Sequence, residues 1–414
     1  MRKRTPYQGV RGDALHSAWR KVRENGLKSL SSETREAIRE FDASALQKIR
    51  PIDRQLHQGK FEFIPQKGVL KKRPGKNPRP LVVGAIKNRI VQRAILDVLQ
   101  QVPPICATLE NPFSFGGIKK RGRQQAIAAL SNVVKAGDMH YIRSDIRDFF
   151  TKIPRPTVLA FLAQHIPDNK FLDLTKRAME TTLANLDQLG EDVDLFPLAD
   201  KGVAQGSPLS PLMGNILLAD FDRQMNGRGI TCLRYIDDFI LLGQDLAKVK
   251  KAFESAQRKL AAFGMQAYDP TQEPEKAEMG ETAKGLDFLG CRINPGFVQP
   301  SSTARKKLLA SVDETLKAGR RAMISAAKGA SGKLPRKRFA QTLADVDNIL
   351  LGWGHSFAFC NNHQLFDELD RSITQMLLSF LRSAEGLFKV SNQAFRRVLG
   401  VHLLSDTRFV QLTA

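Results

Sequence analysis

The sequence is short of the residues that build metal cages and disulfide frameworks. Its four cysteines, Cys106, Cys232, Cys291 and Cys360, are far apart and form no C-x-x-C pair. That spacing argues against a zinc site or a disulfide scaffold and fits a reducing cytoplasm. The seven histidines show no metal-ligand spacing either. No apolar run reaches about eighteen residues, so nothing is expected to span a bilayer. The N-terminus, Met1-Arg-Lys-Arg-Thr, is basic but lacks an apolar stretch, and no signal peptide is expected. Internal repeats and low-complexity tracts are absent. Acidic residues are also scarce: Asp plus Glu number 42 against 64 Lys plus Arg, a net charge of +22. Such an excess points to a polyanionic partner, most simply nucleic acid, with a basic membrane-surface protein as the rival.

What is present is a folded globular chain. Its 414 residues suffice for two or three domains, and 42% of them are hydrophobic. Residues 1–60 read as basic and helical. Residues 61–83 read as two strands, Phe61 to Pro65 and Leu81 to Val83, around the basic loop Lys71-Lys-Arg-Pro-Gly-Lys-Asn-Pro-Arg79. A helix follows over 88–101 and Pro103-Pro104 stops it. Residues 123–136 are expected to be helical, 139–150 a strand, 156–186 helical, and 188–201 an acidic surface excursion. Leu209 to Gln224 reads as one helix, then a hairpin over 231–243, a helix over 246–263 and a strand or hairpin at 288–293. From Ser302 onwards the pattern is helical. Strands alternating with helices, then a helical tail, predict α+β followed by all-α.

The chemistry gathers on acids at strand ends. In Cys232-Leu-Arg-Tyr-Ile-Asp-Asp-Phe-Ile-Leu-Leu-Gly243, two short apolar runs flank Asp237 and Asp238. That reads as strand, tight turn, strand, with the acids at the tip. Asp145 ends a similar strand in Met139-His-Tyr-Ile-Arg-Ser-Asp145. If the two strands are neighbours, the acids meet at one sheet edge. Clustered carboxylates are what a two-magnesium site needs, because Mg²⁺ takes hard oxygen ligands and shares them with substrate phosphates. Read singly, Asp145 is equally a strand-end cap, and the 71–79 loop a solvated charge run.

Taken together, the motifs resemble those of the reverse transcriptases, specifically the bacterial group II intron-like branch, over residues 60 to 380. Asp145-Ile-x-x-Phe-Phe150, Gly202-Val-Ala-Gln-Gly-Ser-Pro-Leu-Ser-Pro211 and Tyr235-Ile-Asp-Asp238 match the three palm motifs of that family in order. The resemblance implies a right-hand polymerase, with fingers and palm built on antiparallel sheet and an all-α thumb. It implies fingers over 61–138, after the basic extension 1–60. The palm would cover 139–298 with a helical insertion at 156–200, the thumb 302–383 and a tail 384–414.

The same resemblance assigns roles. Asp145 and Asp237 would ligate two Mg²⁺ ions with the Ile146 carbonyl, and Asp238 would support them. Phe150 would be the steric gate against a ribose 2′-hydroxyl, unless it only packs beside Phe149. Gln205 and Gly206 would lie against the incoming dNTP. Lys72 and Arg79 would hold its triphosphate, with Lys71 the rival to Lys72. Lys276, in Pro274-Glu-Lys276, would assist pyrophosphate departure. Phe288-Leu-Gly290 resembles the primer grip. Arg89 and Arg93, and the Phe113-Ser-Phe-Gly116 segment, would touch template; the latter continues Gly117-Ile118-Lys119 where the family has Phe-Arg. Basic helices carrying Arg305, Lys306, Arg336 and Lys337 would grip duplex phosphates.

The expected activity is therefore RNA-directed DNA synthesis, with RNA template, DNA primer or product and dNTPs as partners. After the expected thumb only about thirty residues remain, with no Cys/His-rich endonuclease module. By exclusion the chain looks most like the stand-alone, defence-associated bacterial enzymes. Those act in the cytoplasm against phage, and some copy a companion non-coding RNA. The alternatives are an RNA-dependent RNA polymerase, which an aromatic at Phe150 disfavours, and a non-catalytic maturase-like RNA-binding protein, which three intact acids disfavour.

Overall fold

The computed structural model describes residues 4–29, 31–73, 76–137, 139–198, 200–328, 338–389 and 392–401, without the side chains of 72–73, 76–77 and 392. The chain divides into two compact units, Met1–Gly280 and Glu281–Ala414.

Among its described residues, the first unit holds two sheets. Strands β1 (Lys67–Arg73) and β2 (Lys76–Val83) form an antiparallel hairpin. Strands β3 (Ser114–Phe115), β4 (His140–Asp145), β5 (Ile230–Tyr235), β6 (Asp238–Gly243) and β7 (Glu278–Glu281) form a sheet in the order β3-β5-β6-β4-β7. The β4–β6 and β5–β6 pairs are antiparallel, and the short β3 lies parallel to β5. Phe239 to Gly243 is buried without a break. An unbroken apolar run marks a strand covered on both faces, and the helix Leu246–Ala261 packs on both β4 and β6.

The N-terminal helices belong to this unit's core. Helix Asp13–Leu27 packs on helix Ile86–Leu99, and Leu15, Trp19 and Val22 share one apolar cluster with Ile95, Ile142 and Phe239. The basic residues of this stretch lie on the outside of helices whose inner faces are apolar.

The second unit opens with an antiparallel meander, β8 (Leu286–Phe288), β9 (Cys291–Asn294) and β10 (Phe297–Pro300). Among the described residues, four helices follow: Ser302–Ala327, Phe339–Phe357, His363–Phe388 and Asn392–Leu399. The Ser301 hydroxyl caps the first by accepting from the Ala304 N–H at 3.2 Å. Their core includes Leu308, Val312, Val346, Ile373 and Phe380. The Phe339 ring stacks on Phe380 with centroids 5.7 Å apart.

Several expectations need correction. Phe61 to Pro65 is not a strand. Phe61 is buried in the core, and Ile64 hydrogen-bonds through its own backbone to the Asn88 side chain, which uses up the groups a ladder would need. The strand expected over 139–150 ends at Asp145, and Phe149–Lys152 turns helical. The expected helix 209–224 is two helices, Ser210–Leu217 and Ala219–Met225, jointed at Leu218. Pro103-Pro104 follows the end of one helix and also opens another, Pro103–Thr108, because the first turn does not use proline's missing N–H. The acidic 188–201 stretch contains a 3₁₀ turn, Gly190–Leu195, after the short helix Leu186–Leu189. The two compact units part at Gly280, and one helix of the second runs from His363 to Phe388.

Candidate active site

The three acids meet at one end of the main sheet. Register places Asp145, the last residue of β4, directly opposite Asp238, the first of β6. Tyr235 pairs with Asp238, so Ile236 and Asp237 form a two-residue hairpin turn. Asp237 alone sits at the tip; Asp238 already belongs to the strand. The Ile146 N–H donates to the Asp237 carbonyl at 3.1 Å and closes the corner between the strands.

Electrostatically the cluster is strained. Burial first, then the charges of Asp237 and Asp238, push the Asp145 carboxyl well above the ordinary carboxylate range. Burial also raises Asp237, and Asp238 is pushed up to about 6 by burial and by Asp237. A side-chain hydrogen bond between Asp145 and Asp237 raises the first and opposes the rise of the second. The other Asp145 oxygen, Oδ1, is buried with no hydrogen-bond partner. An orphaned carboxylate oxygen amid like charges is suited to a hard cation. Among the described residues, no three His, Cys, Asp or Glu side chains are gathered tightly enough to hold an ion alone.

Because its pKa is raised on folding, the Asp145 carboxyl costs stability at neutral pH, whereas Asn carries no such penalty. Asp145→Asn is therefore expected to raise the Tm of chelator-treated protein at pH 7.5 by about 2–6 °C. Calorimetry checks it, and an unchanged or lower Tm would refute the account of strain.

Cations approach this cluster from two sides. From β2, Arg79 donates through Nε to Gln205 Oε1 at 2.6 Å, and its charge favours ionised Asp237. Lys276 lies over the Tyr268 ring at 4.8 Å, and its charge favours ionised Asp145. Tyr268 is itself tied to the site, since its N–H donates to the Asp145 carbonyl at 3.2 Å and its carbonyl accepts from the Ser144 hydroxyl at 2.7 Å. Arg147 covers a ring face of Tyr268 at 4.5 Å and is paired with Glu273.

Gln205 and Gly206 lie against β2. The Val82 N–H donates to the Gln205 carbonyl at 3.0 Å. Gly206 has φ +121°, and a Cβ there would sit 2.8 Å from the Val82 carbonyl oxygen. The hairpin backbone thus supplies a reason for glycine at this position. Of the adjacent phenylalanines, Phe149 is 2% exposed in the core, and Phe150 is the half-buried one. Lys72 lies in β1 beside a register shift, with its side chain outside the described residues; Lys71 pairs directly with Arg79 and so shares its face of the hairpin.

The remaining nucleic-acid candidates are scattered. Arg93 is paired with Asp97 at 2.8 Å, which also pairs with Lys21 at 2.8 Å, so this cation is tethered within the fold. Arg89 is half-buried on the same helix, and burial lowers its pKa. Phe288 is buried within the meander, and the turn beyond it, Leu289-Gly290, carries the exposure. Lys306 is exposed and Arg305 half-buried on helix Ser302–Ala327. Arg336 and Lys337 lie outside the described residues.

Sequence reasoning passed over the most buried charge in the unit. Arg234 on β5 is 1% exposed. Its guanidinium grips both oxygens of Asp222 and donates to Asn215 Oδ1 at 3.0 Å and to the Ile236 carbonyl at 2.7 Å. The Ser114 hydroxyl donates to Asp222, and the Asn215 amide donates to the Gly116 carbonyl. This network clamps the turn that carries Asp237. Ile236 needs clamping: its φ is +62°, a costly value for a β-branched residue. The available signal was a lone arginine inside an otherwise apolar strand.

An acid cluster at adjacent strand ends of an antiparallel sheet, faced by a basic β-hairpin and followed by a helical region, defines the right-hand polymerase class of fold. The family model for reverse transcriptase (RNA-dependent DNA polymerase) matches residues 65–293, more than half of the chain, and the chain belongs to that family. It is 27% identical over 178 residues to Protein YkfC of Escherichia coli K12, covering 42% of this chain and 44% of that protein. It is 27% identical over 183 residues to an uncharacterized 91 kDa protein in the cob intron of Schizosaccharomyces pombe, covering 44% and 21%. It is 23% identical over 186 residues to the group II intron-encoded protein LtrA of Lactococcus lactis subsp. cremoris, covering 44% and 29%. The matches thus span less than half the length of each of these relatives. Among solved structures, telomerase from Candida albicans is similar with a TM-score of 0.44 and 12% identity, over 82% of this chain and 59% of that one. A partial Cas6-RT-Cas1–Cas2 complex is similar with a TM-score of 0.37 and 21% identity, over 63% and 42%.

Proposed function

We propose that this chain is an RNA-directed DNA polymerase that joins nucleotides by two-metal nucleotidyl transfer. The observation that carries this reading is the pairing of Asp145 with Asp238 beside the Asp237 turn, with Arg79, Gln205 and Lys276 around them. Asp145 and Asp237 would hold Mg²⁺ with help from the Ile146 carbonyl and Asp238. When bound, such ions stabilise the attacking and leaving oxygens of an in-line displacement. The chain's own groups do the rest. Arg79 grips phosphate oxygens, and Lys276, held against the Tyr268 ring, neutralises or protonates the departing pyrophosphate. Primer extension on an RNA template with Mg²⁺ and dNTPs tests this; absence of product on any primed RNA would overturn it.

Phe150 supports the choice of sugar. Its ring is the one of the pair left partly outside the core. Phe150→Val is expected to lower discrimination against rNTPs by about 10- to 100-fold. Paired kcat/KM measurements for dNTP and rNTP read this directly. Wild-type preference for rNTPs would instead favour an RNA-dependent RNA polymerase.

The finer reading is a bacterial cytoplasmic enzyme of antiphage defence that copies a companion structured non-coding RNA. It rests on the resemblance of the motifs and on the +22 charge, which suits a nucleic-acid partner. No helix among the described residues is long and apolar enough to cross a membrane. Sequencing nucleic acid that copurifies with wild type and with an Asp237 variant tests the RNA. Phage plating with both proteins tests the role, and equal plaque counts with and without the wild-type protein would remove it.

A further inference from the structure

We infer that residues 181–198 act as a bracket that holds the β1–β2 hairpin against the Gln205–Gly206 loop before any nucleotide arrives. This inference rests on the polymerase reading, because it makes the bracket set the position of Arg79. The segment contains an acidic stretch that the proposed chemistry does not use. It is nevertheless joined to the hairpin at three levels.

The backbone provides the first. Gln66, just before β1, donates to the Thr182 carbonyl at 2.8 Å, and Ala184 donates back to the Gln66 carbonyl at 2.8 Å. A side chain provides the second. Asn185 accepts from the Gly68 N–H at 2.8 Å and donates to the Gly68 carbonyl at 2.9 Å, so its amide completes β1 as a neighbouring strand would. Packing provides the third. Leu183 and Phe196 join Val82 and Ala204 in a small apolar cluster distinct from the main core, with Leu189 against it. Gly68 lets the segment sit this close: a Cβ there would lie 2.8 Å from Leu189 and 3.1 Å from Leu183.

The consequence concerns nucleotide binding. A hairpin without these ties must be ordered by the nucleotide, and the ordering cost weakens apparent affinity. A bracketed hairpin presents Arg79 already in place, 2.6 Å from Gln205. Asn185, Leu189 and Gly68 are thus positioning residues, acting through Arg79.

The test uses the full chain with Asn185→Ala and, independently, Gly68→Val. Hydrogen exchange of amides 67–83 is measured without metal or nucleotide, and dNTP kinetics on a primed RNA are measured alongside. Faster exchange is expected in both variants. The dNTP KM should rise about tenfold, equivalent to about 1.4 kcal/mol, with kcat at saturating dNTP within about twofold and RNA affinity unchanged. Unchanged exchange overturns the bracket. Faster exchange with an unchanged KM, or a loss confined to kcat, overturns its role in nucleotide binding. If wild type incorporates no nucleotide, the polymerase reading fails, and the exchange arm still decides whether the bracket holds the hairpin.

Discussion

Asp237→Ala is expected to reduce nucleotide incorporation by at least about 10³-fold, roughly 4 kcal/mol of transition-state stabilisation. Asp237 stands alone at the tip of its turn, facing Asp145 across a shared hydrogen bond. Removing it takes away one side of the site proposed to hold the metal. RNA affinity should hardly change, because it is expected to come from basic surface contacts with phosphates. Primer extension and a filter-binding titration on the same preparation separate the two effects. Loss of RNA binding with normal synthesis would reverse the assignment. Full biological activity from a variant with both Asp237 and Asp238 changed to Ala would favour the maturase-like alternative.

The second large effect concerns stability. Asp222→Ala leaves Arg234 buried without its counter-ion, and this is expected to cost about 3–5 kcal/mol. Chemical denaturation should show the loss as a lower midpoint with little change in slope. The double variant Asp222→Leu with Arg234→Met removes both charges and should recover much of that stability. It should not recover full activity, because the Ile236 carbonyl would still lack the donor that holds its turn. Recovery of both would show that the network stabilises the unit without shaping the site.

The acids were legible in the sequence for a simple reason. Asp145, Asp237 and Asp238 each adjoin a short apolar run, and strand ends project polar residues away from a core. Arg79 and Gln205 could be named from loop chemistry and motif order, although their mutual hydrogen bond could not. The register shift between Lys71 and Arg73 shows why a spacing of seven residues did not decide between Lys71 and Lys72. One irregular residue changes which side chains share a face. Arg234 was passed over for another reason. Its partners Asp222 and Asn215 lie on two separate helices, and Ser114, which donates to Asp222, on a distant strand, so the lone arginine does not reveal the network. The same holds for Asn185, whose partner Gly68 is 117 positions away in the chain. The break at Leu218 likewise falls on a residue that is neither glycine nor proline, so nothing local marks it.

The order of strands in the main sheet has a consequence for how the protein is made. Strand β4 leaves the ribosome long before β6, its hydrogen-bonding neighbour, has been translated. At about 5–20 residues per second, the delay is on the order of 5–20 s. Throughout that interval Tyr141 and Ile142 have no sheet to enter, and the β4 backbone presents open donors and acceptors. The nascent chain is therefore expected to need cover for this edge, and expression yield should be more sensitive to translation speed between residues 145 and 243 than elsewhere.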